Sequence, residues 1–228
     1  MKTVFNIVLA LCAVGLVYIC YGSIMGPINF DKVQDAREKE IIARLIDIRK
    51  AQVEWRQLHE GKYTADFDSL IDFVKTAKLP FVKKEGSLTD AQLEAGMTEK
   101  KAMKIIEKAK KTGNWKEVEK EGLMNFKRDT MWVSVLDTIY PAGFNPDSLK
   151  YVPFGNGAIF EMATRSDTTK SGAPLNLFQA QTPYDTYMGD LDKQLLINLK
   201  DVQTKLGKYC GLRVGDIESP NNNAGNWE

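Results

Sequence analysis

The segment VFNIVLALCAVGLVYICYGSIM, residues 4–25, carries no charged side chain and organises the rest of the chain. A helix of about 20 apolar residues spans the ~30 Å hydrocarbon core of a bilayer. The segment is longer than the roughly 7–15-residue apolar region of a cleaved signal peptide, and no small-x-small cleavage site follows it. The sequence therefore predicts an uncleaved transmembrane signal anchor over residues 1–30.

The orientation of this anchor is indicated by basic residues on its two sides. The short head Met1-Lys2 favours a cytoplasmic N-terminus, whereas Lys32, Arg37 and Lys39 beyond the span favour the opposite topology. The short basic head before a long apolar run is the usual layout for export, so we expect the first arrangement. It would place a single-pass protein in a bacterial inner membrane with its C-terminal domain in the periplasm, and the lipid bilayer would be its first partner.

Residues 31–60 predict an amphipathic stalk helix. Ile41, Leu45, Ile48 and Trp55 recur at helical spacing and form an apolar stripe, while the opposite face is dense in charged side chains. Gly61 supplies the expected stop after the helix. The stripe is wide enough to cover a sheet or a partner helix, and we expect these four residues to be the partner-binding set, with another membrane or envelope protein or a second copy as the partner.

After the stalk, residues 61–218 predict one soluble α+β domain. Residues 87–121 read as a helical insertion, with a capping box at Thr89 and Gln92 and a further cap at Thr98. From residue 124 the chain becomes rich in aromatic and β-branched residues between turn formers, which predicts an antiparallel meander of about four strands. A helix containing Leu195 and Leu199 and a last strand follow.

The predicted fold class is therefore α+β, with a transmembrane helix continuing into a long amphipathic helix that packs against a small antiparallel sheet. The tail, residues 219–228, is polar and is expected to be loose unless the Trp227 indole docks.

Composition excludes some classes of function. Lys and Arg total 31 and Asp and Glu total 30, so the basic bias of a nucleic-acid-binding protein is missing and no nucleic acid is expected as a partner. Cys12 and Cys20 lie in the apolar segment and Cys210 stands alone in the predicted domain, so the fold does not depend on disulfide bonds.

The N-terminal third of the chain resembles type IV pilins and pseudopilins. The phrase Ala51-Gln52-x-x-Trp55, followed by Gly61-Lys62-Tyr63-Thr64 and Leu70, is similar to the end of a pilin stalk. The resemblance covers roughly residues 1–80 and implies a structural subunit of a secretion or pilus-like machine. It does not extend to the acidic residue that pilins carry early in the apolar segment. The stalk and tail also resemble uncharacterised single-pass envelope proteins of the Bacteroidetes.

Candidate residues for chemistry are few. His59 is the only histidine, and no nucleophile motif surrounds Cys210 or any serine, so no catalytic, cofactor-binding or metal site is predicted. We expect His59 to lie exposed at the end of the stalk helix. Four aromatic residues of the predicted sheet, Trp132, Tyr151, Phe154 and Phe160, are either core or the lining of a ligand pocket.

Two functions follow from these observations. The first is a non-enzymatic, membrane-anchored envelope protein that acts as a structural or assembly subunit of a larger membrane complex. The alternative is a periplasmic ligand-binding or sensor module that uses the sheet aromatics and is anchored in the inner membrane.

Overall fold

The structure of the chain, a computed structural model, describes residues 2–169 and 171–228. It mixes helix and sheet, with 53% of residues helical and 18% in strands. The helices are α1 (Lys2–Leu58), α2 (Phe67–Thr76), α3 (Asp90–Glu94), α4 (Glu99–Thr112), α5 (Lys116–Lys120), α6 (Val135–Ile139), α7 (Tyr184–Met188) and α8 (Lys193–Lys205). The strands are β1 (Lys78–Glu85), β2 (Lys127–Ser134), β3 (Glu161–Thr168), β4 (Pro174–Pro183) and β5 (Gly211–Gly215).

The chain divides into two compact units. We call Met1–Lys75 together with Ile139–Glu228 the stalk unit, and Thr76–Thr138 the insertion unit. The stalk unit holds the three-stranded antiparallel sheet β3-β4-β5, and the insertion unit holds the antiparallel pair β1-β2.

Helix α1 joins the predicted anchor and the predicted stalk without interruption. Its 57 residues correspond to about 85 Å at 1.5 Å per residue. Pro27 lies inside the helix and has no N–H to donate, so one backbone hydrogen bond is lost there. Met1 and the side chain of Lys2, which carry the predicted basic head, lie outside the described residues.

The core of the stalk unit lies between the second half of α1, α2 and the sheet. Ile41, Leu45 and Ile48 of α1 are fully buried, as are Leu70 of α2 and Phe178 of β4. Alternate residues of a strand point to opposite faces of the sheet, so β4 buries Phe178 and Ala180 on one face. The small antiparallel sheet beside the long helix is therefore as predicted.

The predicted four-stranded meander is wrong in its membership. Strand β2 pairs with β1 in the insertion unit, with Arg128 opposite Lys84, and does not join β3. Residues 135–139 are helical, and Tyr151 forms only an isolated bridge with Ile159. A composition rich in β-forming residues predicts that a segment is a strand, but it does not predict which strand it pairs with. Here β2 pairs with the upstream strand β1 and not with the next strand, β3.

The insertion unit is small, and helix-capping signals define its helices. Thr89 and Gln92 form the predicted capping box of α3, and Thr98 caps α4. Gly113 ends α4 in the left-handed conformation. The buried core of the unit consists of Ala102, Ala109, Val118, Leu123 and Phe126.

The C-terminal tail is held in place, which corrects the expectation of a loose segment. Gly225 bridges to Val214 of β5, and the Asn226 side chain donates to the Gly211 carbonyl at 2.9 Å. The Glu228 carboxylate lies 2.7 Å from Arg49 of α1. Backbone pairing with a sheet edge, which composition does not reveal, orders this polar segment.

Candidate functional site

The first half of α1 is an exposed apolar surface. An 18-residue window there has a mean hydropathy of 2.4, and none of it is buried. Residues 4–25 extend over about 33 Å as a helix, which matches a hydrocarbon core of about 30 Å. The helix is thus long and apolar enough to span a membrane. Tyr18 and Tyr21 are exposed near one end of this length, where amphipathic rings suit a membrane–water interface.

The second half of α1 carries the four predicted partner-binding residues. The structure brings Ile41, Leu45, Ile48 and Trp55 onto one face, as the spacing predicts, but the chain covers this face itself. The first three are fully buried in the stalk unit, and Trp55 is partly buried, with its ring 5.2 Å from that of Phe73. Fully buried side chains offer no surface to another protein, so a partner surface has to be sought elsewhere on the chain.

Gln52, in the sequence motif that resembles the end of a pilin stalk, makes specific hydrogen bonds in the structure. Its side chain is fully buried, and its amide nitrogen donates to the Thr64 carbonyl at 2.7 Å, while its amide oxygen accepts from the Thr64 N–H at 3.3 Å. These two hydrogen bonds fasten the Gly61–Thr64 turn to the stalk helix. The role of Gln52 is therefore to hold the turn.

His59 lies exposed at the end of α1, as predicted. Its ring stacks on Trp55 with centroids 3.8 Å apart, and its Nδ1 lies 2.9 Å from the Trp55 carbonyl oxygen. Cys210 is partly buried, and its Sγ lies 3.3 Å from the Thr204 hydroxyl. Among the described residues no group of three or more His, Cys, Asp or Glu side chains could hold a metal ion.

A charged cluster lies on α1 between the apolar segment and the buried stripe. The Arg37 guanidinium donates to both carboxylate oxygens of Asp190, at 2.5 and 2.7 Å, and to the Tyr187 carbonyl. The hydrogen bond from Arg37 lowers the pKa of Asp190. Burial raises the pKa of Glu38, an effect that a hydrogen bond from Gln34 opposes in part. Burial also raises the pKa of Tyr184, to about 12. The cluster fixes α1 to the α7 region.

The four sheet aromatics differ in exposure and belong to two different units. Trp132 is 65% exposed and belongs to the insertion unit, whereas Tyr151 and Phe154 are exposed parts of the stalk unit. Only Phe160 is core. The prediction that these residues are core is therefore correct for Phe160 alone.

The insertion unit contains a cleft that the sequence does not predict. It has a volume of about 420 Å³, and Met103 and Ile106 of α4, Trp115, Met124 and Phe126 are among its lining residues. The available signal was the i, i+3, i+7 spacing of Met103, Ile106 and Lys110, with Trp115 just after the helix.

Comparisons with protein-family models, with curated proteins and with solved structures gave no match. The resemblance to pilins and to envelope proteins therefore stays a prediction from the sequence.

Proposed function

We propose that this chain is a non-enzymatic, membrane-anchored envelope protein and a structural or assembly subunit of a larger membrane complex of the secretion or pilus-like kind. The observation that carries the proposal is the division of α1. Its first half is apolar and exposed, and its second half carries an apolar stripe that is buried in the stalk unit, within one unbroken helix. Such a helix couples a folded domain rigidly to a membrane.

The proposed location is a bacterial inner membrane, with the domains after α1 in the periplasm. The basic head before the apolar segment supports this orientation. An enzymatic role is not proposed, because the sequence contains none of the nucleophile or metal-ligand motifs discussed above. The ligand-binding alternative is not proposed here, since Trp132, Tyr151 and Phe154 are exposed and only Phe160 is buried.

Membrane anchoring is tested by alkaline carbonate extraction of membranes. The wild-type protein should stay in the membrane pellet. The double variant Val14→Lys/Val17→Lys places two charges near the centre of the span, each costing about 2.5–3.5 kcal/mol, and should move to the supernatant. Val53→Lys, an exposed position in the second half of the same helix, is the matched control and should stay in the pellet. Retention of the double variant would refute a spanning role for this segment.

Orientation and partners are tested in cells whose outer membrane alone is opened. Cys210 is partly buried and makes a poor reporter, so we suggest Lys208→Cys in a Cys210→Ser background, because Lys208 is exposed. An impermeant maleimide should label this cysteine without lysis of the inner membrane, and labelling only after lysis would reverse the topology. Co-purification of stoichiometric envelope proteins after mild solubilisation would support the assembly role, and a protein that purifies alone would count against it.

A further inference from the structure

The cleft of the insertion unit lies between α4 and the segment that leads into β2. Met103 and Ile106 line it from α4, and Leu123 and Phe126, which belong to the core of the unit, also line it. Its volume of about 420 Å³ lies in the range of small-ligand sites. The cleft is thus an extension of the core that is open to solvent.

Large apolar side chains are left open at this cleft. Met103, Trp115 and Met124 are 43–56% exposed. The buried core beside them includes small residues instead, Ala102 and Ala109. Methionine is unbranched and polarizable, so it adapts to differently shaped apolar groups and is common at binding surfaces. Grouped apolar exposure of this kind marks interaction sites.

Arg128 forms a fixed wall of the cleft. Its guanidinium lies 3.9 Å from the Phe126 ring centroid and 3.2 Å from the Glu99 carboxylate, and it donates to the carbonyls of Glu85 and Gly86. The side chain is only 4% exposed, and its buried Nε has no hydrogen-bond partner among the described residues. The wall is therefore cationic and already ordered before any ligand arrives.

The charge on the rim is unbalanced. Lys110 and Lys127 have no carboxylate within 4.0 Å among the described residues, whereas Glu107 is paired with Lys111 at 2.9 Å. Asp129 is the remaining acid of the lining. The insertion unit as a whole contains 13 Lys and Arg against 10 Asp and Glu. An anionic ligand is the electrostatic complement of this rim.

The positive charge continues beyond the cleft along α4. Lys100 and Lys104 are exposed and form no ion pair among the described residues, and Lys100 lies about 15 Å from Lys110 along the helix axis. Charge distributed over this length suits an extended chain with several carboxylates better than a single lipid headgroup.

We propose that the cleft binds an acidic peptide segment of a partner protein. The segment would insert one large apolar side chain between Met103, Trp115 and Met124 and set its carboxylates against Lys110 and Lys127. The inference deepens the assembly function proposed above and rests on it for the source of the peptide. Binding itself does not require α1 to be in a membrane.

The test uses the full chain in dodecyl maltoside micelles and the fluorescein-labelled peptide Asp-Glu-Leu-Phe-Glu-Asp, followed by fluorescence anisotropy. We expect saturable binding that Met103→Glu weakens at least tenfold and Lys110→Glu at least fivefold. Ile197→Glu and Lys208→Glu change equally exposed residues of the stalk unit and should leave the affinity within twofold of wild type. Thermal unfolding followed by circular dichroism verifies that every variant is folded.

Two control peptides identify the chemistry of recognition. Replacing the four acids by Lys, or Leu-Phe by Ala-Ala, should each abolish binding. Binding that is equal for the Lys peptide, or unchanged in folded Met103→Glu, would overturn the proposal. So would an effect of Lys110→Glu that occurs only when phosphatidylglycerol is added to the micelles, because the surface would then be a lipid site. Membrane anchoring is measured separately by carbonate extraction, so a negative result for anchoring can be distinguished from a negative result for peptide binding.

Discussion

The two halves of α1 have different surroundings although they belong to one helix. In residues 4–25 the apolar side chains surround the helix and none of them is buried, whereas after Phe30 the buried apolar side chains lie in one stripe that the stalk unit covers. A helix with one apolar stripe can bury it against a single protein surface, but a helix that is apolar all round requires an apolar environment on every side. The comparison shows that the distribution of apolar residues around a helix, more than their number, determines what it packs against.

The largest effect should come from charging the buried stripe. Ile48→Asp places a carboxylate at a fully buried position and should lower the free energy of unfolding by about 4 kcal/mol or more, which is enough to unfold many domains. Val53→Asp, at a position 37% exposed on the same helix, should cost less than about 1 kcal/mol. Urea denaturation followed by circular dichroism measures both. Equal midpoints for the two variants would mean that the stripe does not hold the fold.

A smaller effect is expected at Gln52, the buried polar residue of the same stripe. Gln52→Leu keeps the position apolar and leaves the Thr64 N–H and carbonyl without their partner, which should cost about 2 kcal/mol. Gln57→Leu, an exposed position one turn later, is the matched control and should be nearly neutral. Hydrogen exchange of the Thr64 amide provides a local measurement. Unchanged protection in Gln52→Leu would contradict the role assigned to this side chain.

A smaller effect, and one that depends on pH, is expected at Glu38. Burial raises the pKa of the Glu38 carboxyl group, so this group binds its proton more tightly in the folded chain than in the unfolded chain, where its pKa is about 4.3. The contribution of Glu38 to stability is therefore present below about pH 4 and is lost as the pH rises through the folded pKa. Glu38→Gln should stabilise the protein at pH 7 and have no such effect at pH 3.5.

Urea unfolding at the two pH values measures this difference, and Glu40→Gln, an exposed position on the same helix, is the control. A Glu38→Gln variant that is less stable than wild type at pH 7 would show that the hydrogen bond with Gln34 outweighs burial.

The smallest effect on the folded domain should come from the exposed half of α1. Removal of residues 2–29 deletes no side chain that the structure describes as buried, so the free energy of unfolding should stay within about 0.5 kcal/mol of the full-length value. Urea denaturation of the shortened and full-length chains compares them directly. A loss greater than about 1 kcal/mol would mean that the apolar half contributes to the domain as well as to an anchor.

The parts of this fold that the sequence predicts are the local ones. The end of α1 before Gly61 and the Thr89–Gln92 capping box each follow from residues within one or two helical turns of each other. Apolar periodicity also identifies Ile41, Leu45 and Ile48 as one face. It does not state whether that face meets the same chain or another one, and in the structure the same chain covers the three residues.

The parts that the sequence does not predict depend on pairing between distant segments. The partner of β2 is β1, with the insertion helices between them, and the tail is ordered by β5. Both pairings use backbone groups, which are nearly the same in every residue. The cleft is equally hard to predict from the sequence, because α4, Trp115 and the segment leading into β2 form it together. Exposure of Trp132 and Phe154 likewise depends on which strands pair.

The unbroken course of α1 through Pro27 fixes a rotational relationship as well as a distance. Each residue of an α-helix turns the chain by about 100° and advances it by 1.5 Å. Insertion or deletion of one residue between Gly26 and Phe30 would therefore turn the apolar segment by more than a quarter revolution relative to the buried stripe, while changing the length of the helix by very little. The face that the domain presents to any neighbour is in this way set by the residue count of the junction.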